Sequence, residues 1–397
     1  MTIPADGSPM VVAQAIETSD ELAWLFDLLG KSQRGATVDY LGRPDLNDLR
    51  ILIPTSPSAA AATALRRPND DRSWNQRIQA IGGQIISRLG LLNRAPGQCL
   101  ALPQFELVEH LARCLGEAEL VAAVTIGAQR RNRKPVLQLI RPNGRVVGFA
   151  KVGWSPLTHD LVRTEFETLQ AINGQLPPNL VAPSVLTVEH WRDVTVAVTS
   201  PLRAPLMAAG RPPTEANMVR AIAAAQPIGA ETEAPTAVVA SSATVRDGLA
   251  VGLAETIDLD RLLDRHDGVE LPVGLWHGDL TPWNMARRGA TVLVWDWEFA
   301  GWGRPIGFDA LHHHFEHHRR QIGGDNETAL AAVTSASSQV LAPIELDLDE
   351  AQHRAIVDLY LCELMVRELR LADQRWSGGE LATLGQALRA LIEHRLR

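Results

Sequence analysis

The chain has 397 residues, 46% hydrophobic and 21% charged, which is ordinary for a protein that buries a large core and divides into two or three subdomains. Its formal net charge of -8 argues against nucleic acid or an anionic membrane as the main partner. Cys99, Cys114 and Cys362 are far apart and show no C-x-x-C spacing, so they are expected to be reduced thiols rather than a disulfide framework. Nowhere do about 18 apolar residues run together. The opening Met1–Gly7 lacks the basic, then apolar, layout of a signal peptide. No membrane span is expected.

Residues 1–100 read as a cap or scaffold region with no chemistry of its own. Ser19-Asp20-Glu21 opens a helical pattern that puts Leu22, Leu25, Phe26 and Leu29 on one face, with Gly30 as the stop. Arg50–Pro54 reads as a short buried strand. Thr55-Ser56-Pro57 then starts an Ala-rich helix reaching Leu65, and a second helix is expected over Ser73–Leu89. Asn93–Gly97 reads as a linker.

Residues 101–202 read as an α+β lobe. Leu120–Gly127, Pro135–Ile140 and Val146–Val152 are three short strands joined by tight turns, an antiparallel meander. A helix follows from Thr158 to Ile172. Val194–Thr199 is a later strand, broken by Ser200-Pro201-Leu202, where the chain crosses to the next lobe. Residues 203–397 read as mainly helical, with helices over Asp258–His266, 309–320, 327–341, 348–373 and 379–395.

The chemistry concentrates in Trp276-His277-Gly278-Asp279-Leu280-Thr281-Pro282-Trp283-Asn284 and in the run Val292–Glu298. An Asp, an Asn five residues on and a second Asp at the end of an apolar strand form the set that phosphoryl transfer from ATP needs. Asp279 is the candidate base that orients an acceptor hydroxyl. The Asn284 amide oxygen and the Asp296 carboxylate are the candidate magnesium ligands. Turn-forming Asp and Asn are the plainer reading, disfavoured by the apolar strands on either side. His277 reads as a support of the loop or a proton carrier. Glu298, two residues past Asp296, faces the same way on an extended strand and is a further candidate for the metal or the substrate.

Upstream, Lys151 sits among apolar strand neighbours, where a lone cation is costly. Glu165 shares a helix face with Leu161, Leu169 and Ile172 and is its expected partner; Glu167 aligns with Arg163 on a polar face. Lys151 is then placed to reach the α and β phosphates of a nucleotide. Gly127–Lys134 lies where a phosphate-covering loop would be, but lacks G-x-G-x-x-G, and a solvated basic hairpin is the plainer reading. Thr199–Leu202 is the candidate hinge whose backbone meets adenine. In His312–His318 the i,i+4 pairs invite a metal reading, but an exposed or substrate-facing helix is favoured. Asp309 reads as a helix cap. Trp302 and Trp376 are candidate pocket-lining residues.

These residues resemble the aminoglycoside phosphotransferase and choline kinase superfamily, relatives of the protein kinases, over about residues 118–395. His277-Gly278-Asp279 with Asn284 resembles that family's catalytic loop, Asp296 its metal-binding Asp, and Gly301, Pro305 and Asp309 the segment that follows. The resemblance implies a two-lobed, protein-kinase-like α+β fold with ATP and Mg2+ as cofactors. It makes Asp279 the catalytic base, Asn284 and Asp296 the magnesium ligands, and Lys151 with Glu165 the nucleotide-phosphate contacts. It implies a small-molecule hydroxyl acceptor (an aminoglycoside-like compound, a sugar or an amino alcohol) and, since ATP is a cytosolic substrate, a cytoplasmic enzyme. Trp297-Glu298 in place of Phe-Gly, and no A-P-E after Asp296, point away from a protein kinase. The alternative is a catalytically silent kinase-like binding module.

Overall fold

The computed structural model describes residues 19–44, 48–65, 98–127, 131–202, 215–224, 232–250, 258–321, 325–371 and 380–397. The helix expected over Ser73–Leu89, the Asn93–Gly97 linker and Trp376 lie outside these residues. The chain is α+β, and its contacts divide it into two compact units. Among the described residues the first unit takes those up to 127, 133–166 and 183–202. The second takes 131–132, 167–182 and those from 215 onward. No described helix is long and apolar enough to cross a membrane.

The first unit is built on one eight-stranded sheet. Its strands are β1 (Thr37–Arg43), β2 (Ile51–Pro54), β3 (Gln98–Pro103), β4 (Val121–Thr125), β5 (Val136–Ile140), β6 (Val146–Gly153), β8 (Val185–Trp191) and β9 (Val194–Thr199). They run in the order β3-β1-β2-β4-β5-β6-β9-β8. Strands from the first hundred residues thus continue the meander β4-β5-β6 through the β2–β4 pairing. Both faces are covered. On one, Leu22, Leu25 and Leu29 of α1 (Asp20–Leu29) and Leu107, Val108 and Leu111 of α3 (Glu106–Cys114) pack with Ala150, Val152, Val196 and Val198. On the other, alanines of α2 (Ser58–Ala64) pack on Leu41, Ile53, Val121 and Ile140. The bounds of α1 follow its sequence. The Ser19 hydroxyl accepts from the Leu22 amide, and Gly30 stops the helix at φ +70°.

The basic turn expected over Gly127–Lys134 is corrected at Arg133. Arg133 is neither solvated nor aimed at a phosphate. Its guanidinium forks onto the carboxylate of the buried Glu21 and lies over the Trp24 ring, 4.4 Å from the centroid. The pairing of Glu21 with Arg133, 112 residues away in sequence, is tertiary information that no local pattern carries.

The second unit contains two small sheets and most of the helices. In one sheet β11 (Leu271–Trp276) pairs with β10 (Thr232–Glu233) and β14 (Gly301–Pro305). In the other the hairpin β12 (Met285–Arg288) and β13 (Thr291–Val294) takes a parallel partner, β7 (Leu180–Val181). The helix α4 (Pro156–Ala171) contributes residues to both units. The expected helices appear as α8 (Leu259–Arg265), α9 (Phe308–Glu316), α12 (Glu350–Leu371) and α13 (Glu380–Arg395). The pattern over 327–341 is two helices, α10 (Asn326–Ser335) and α11 (Ser337–Leu341), and α9 runs on into a π-helical turn over His317–Gln321.

Candidate active site

In the second unit the site is made by a hairpin and the loop that enters it. Met285 pairs with Val294 at the open end of β12–β13, and the Trp295 amide donates to the Asn284 carbonyl one step further out. Asn284 and Asp296 are therefore carried to the same end of one hairpin, although they lie twelve residues apart. The loop 277–284 joins this end to β11 and carries Asp279.

Asp279 is held on both oxygens. Asn284 Nδ2 donates to Oδ2 at 2.8 Å and to the Asp279 carbonyl at 2.9 Å. Two acceptors on one atom identify it as the nitrogen, so the amide oxygen of Asn284 is the atom left to offer a cation. Oδ1 lies 3.1 Å from His312 Nε2, and His312 Nδ1 lies 3.2 Å from the Tyr360 hydroxyl. Burial raises the Asp279 pKa, but the His312 hydrogen bond and the charges of His312 and Arg367 outweigh it, and the group stays an anion below the ordinary carboxylate range.

His277 is a support. Its Nδ1 accepts from the Asp279 amide at 3.2 Å, so the proton sits on Nε2, which donates to the Trp295 carbonyl at 3.0 Å. Burial holds its pKa down to about 4, which keeps it neutral. One ring thereby ties the Asp279 loop to the Asp296 strand end. Gly278 sits at φ +83°, and a Cβ there would lie 2.1 Å from the Phe299 carbonyl oxygen, so the position requires glycine twice over.

Asp309 corrects the sequence expectation. It lies in the first turn of α9, but the cap residue is Gly307, and the Asp309 carboxylate instead accepts from the amides of His277 at 2.7 Å and Gly278 at 3.1 Å. Burial pushes its pKa up to about 7 against these two amides. On the far side Arg367 of α12 donates to the Gly278 carbonyl at 2.6 Å. The loop is thus clamped at backbone level from two helices.

Asp296 has φ +72°, a left-handed conformation uncommon for a residue with a Cβ and often found where a side chain is aimed for function. The strand ends at Val294, so the extended geometry expected to align Glu298 with Asp296 is not present. A turn brings them together instead, with carboxylate oxygens within 4.8 Å and Glu298 buried.

The histidine run is not an exposed helix at its first two members. His312 and His313 are buried, on Asp279 and on the Leu280 carbonyl (3.1 Å) respectively. His312 is the site residue missed from sequence. It stands four after Phe308 and three before Phe315, both buried, and three after Asp309, so the helix period places it on the inward face. His314, His317 and His318 are half-buried, and so is Trp302.

In the first unit Lys151 lies on β6 between β5 and β9, opposite Val136 and Ala197. Its face is the one away from Ala150 and Val152. Lys151 Nζ is 2.5 Å from Glu165 Oε2 on α4, with Glu165 buried. Gly153 allows this approach: a Cβ there would lie 2.7 Å from the Thr158 carbonyl oxygen at the start of α4. Thr199 ends β9 buried, Ser200 is tied to Ser184 by two hydrogen bonds, and Leu202 is half-buried.

No family model matches the chain, and no curated protein sequence does. Solved structures of small-molecule kinases are similar to it in fold. A thermostable mutant of the aminoglycoside phosphotransferase APH(4)-Ia, in a ternary complex with ADP and hygromycin B, is 16% identical over 72% of this chain and 98% of that one, with a TM-score of 0.43. A chain from Haemophilus somnus 129PT, described as a fructosamine-3-kinase, is 11% identical over 72% and 96%, with a TM-score of 0.45. The aminoglycoside phosphotransferase APH(3'')-Id from Streptomyces rimosus ATCC10970 is 17% identical over 64% and 98%, with a TM-score of 0.38. At these identities and scores no residue role is taken from the likeness.

Proposed function

We propose that the chain is an ATP- and Mg2+-dependent phosphotransferase that acts on a hydroxyl of a small molecule. The observation that carries this reading is the hairpin end. It carries Asn284 and Asp296 at the same end of one hairpin and holds the Asp279 carboxylate, ionised and hydrogen-bonded on both oxygens, next to Asn284. The donor set fits magnesium, because the groups offered are hard oxygens: the Asn284 amide and the Asp296 carboxylate, with the Glu298 carboxylate close by. The metal, when bound, neutralises charge on the transferring phosphate.

The chain's own residues do the rest. Asp279 accepts the hydrogen of the acceptor hydroxyl and points its oxygen at the phosphorus. Positioning is most of its contribution, with the proton moving late. Lys151, oriented by Glu165, takes the α and β phosphates, and the Thr199–Leu202 backbone takes adenine.

Incubation with ATP, Mg2+ and a panel of aminoglycosides, sugars and amino alcohols tests the reading. A phosphorylated product is expected with at least one hydroxyl compound. Tight ATP binding with no product on any member would favour the silent binding module instead.

A further inference from the structure

We infer that His110, Cys114 and Glu189 form a binding site for a transition-metal ion of the zinc type, separate from the groups assigned to phosphate transfer. His110 and Cys114 are one helical turn apart on α3 and project on the same side. Glu189 reaches them from β8, the last strand of the sheet. Cys114 Sγ is 3.5 Å from His110 Nε2, and His110 Nε2 is 3.5 Å from Glu189 Oε2. All three atoms lie within 4.8 Å of one another. With Zn–S at about 2.3 Å and Zn–N and Zn–O at about 2.0–2.2 Å, the edges of a tetrahedral site are roughly 3.3–3.6 Å. The two measured edges have that length before any ion is placed.

The surroundings are those of a ligand set. Glu189 has one oxygen committed to the Thr187 hydroxyl at 2.5 Å, which orients the carboxylate and leaves Oε2 to face the histidine and the thiol. His110 and Glu189 are each a quarter exposed, and Cys114 is exposed, so water has access to a fourth position. A sulfur, an imidazole nitrogen and one carboxylate oxygen select zinc or its neighbours over magnesium or calcium, which take oxygen.

The position suggests what the ion does. β8 ends the sheet on one side, and β3, which leads into α3, ends it on the other. The ion pair Arg192–Glu106, at 2.5 Å, already joins these two ends. A metal on His110, Cys114 and Glu189 is a second fastening between α3 and the β8–β9 hairpin, and its role is structural rather than catalytic.

Titration of the full chain with Zn2+ and with Co2+, without nucleotide, tests this. One equivalent of Co2+ is expected to give a thiolate-to-cobalt charge-transfer band, and Zn2+ to displace it and raise the melting temperature. Cys114→Ser should abolish the band and the shift while melting like the metal-free parent. His110→Ala and Glu189→Gln should weaken Zn2+ binding at least about tenfold, and Thr187→Val about tenfold, as is common when a group that orients a ligand is removed. Cys99→Ser should leave the band intact, and the His314, His317 and His318 cluster offers no thiolate to make one. A cooperatively folded parent with no band, or a band undiminished in Cys114→Ser or His110→Ala, would overturn the site. Neither outcome depends on phosphate transfer.

Discussion

The two oxygens of Asp279 are held by groups of different kinds. Asn284 is an amide whose oxygen is offered to the proposed metal, whereas His312 is a ring held between Asp279 and the Tyr360 hydroxyl. His312→Ala is therefore expected to lower kcat by about 10- to 100-fold with KM little changed, because a carboxylate free to swing costs alignment rather than binding. His312→Gln, which returns an N–H at a similar reach, should recover most of the loss. A rise in KM alone, or no recovery with Gln, would show that His312 acts otherwise. Asp309 and His277 give a pH-dependent signature. His277 is depressed from 6.5 to about 4, so the unfolded chain binds more protons in that window and stability falls as pH is lowered through it. Asp309 is raised from 3.8 to about 7, so its contribution is complete below 3.8 and is lost as pH rises to about 7. The two oppose each other. Asp309→Asn keeps only the first. Urea denaturation should show the variant less stable by about 2 kcal/mol at neutral pH, since one backbone amide loses its acceptor. The gap should widen toward pH 5; a gap that narrows on acidification would contradict the assignment.

At the scale of elements, close approach decides where the functional side chains stand. Gly278→Ala cannot be accommodated without moving the Phe299 backbone, and is expected to destabilise the protein measurably and to remove activity with it. Breaking the Lys151–Glu165 pair by Glu165→Ala should cost about 3–5 kcal/mol, as is common when one partner of a buried pair is removed. Thermal or urea unfolding measures both. Much of this level was legible in the chain. The apolar faces of α1 and α4, the stop at Gly30 and the limits of β9 follow from periodicity and turn residues. The Lys151–Glu165 pair followed from asking which acidic residue shares the apolar face of α4. What was not legible depends on partners distant in sequence. β1, with the sequence Thr37-Val38-Asp39-Tyr40-Leu41-Gly42-Arg43, carries no alternation, and it is a strand because β2 and β3 pair with it on either side. The edge strand β8 is half-exposed along most of its length and lacks a buried stripe for the same reason. Asp309 looked like a helix cap because its position at the helix start is local information, whereas its two amide partners are more than thirty residues away.

For the whole molecule, contacts divide the chain into a sheet-based unit and a mainly helical unit, and residues 131–132 and 167–182 fall with the second although they lie within the sequence of the first. That the first hundred residues share the sheet of β4-β5-β6 was not visible, because strand order is a property of pairing and not of any one segment. The central claim is that Asp279, on its clamped loop, directs phosphate transfer with the metal held by Asn284 and Asp296. It is tested most directly by measuring product formation from ATP and Mg2+ with whichever hydroxyl compound the parent phosphorylates, for the parent, Asp279→Ala and Asp296→Ala in parallel. Both variants should melt cooperatively and lose at least about 100-fold in rate, the order of magnitude that positioning and metal-borne charge supply. Transfer at the parent rate in either folded variant would contradict the account.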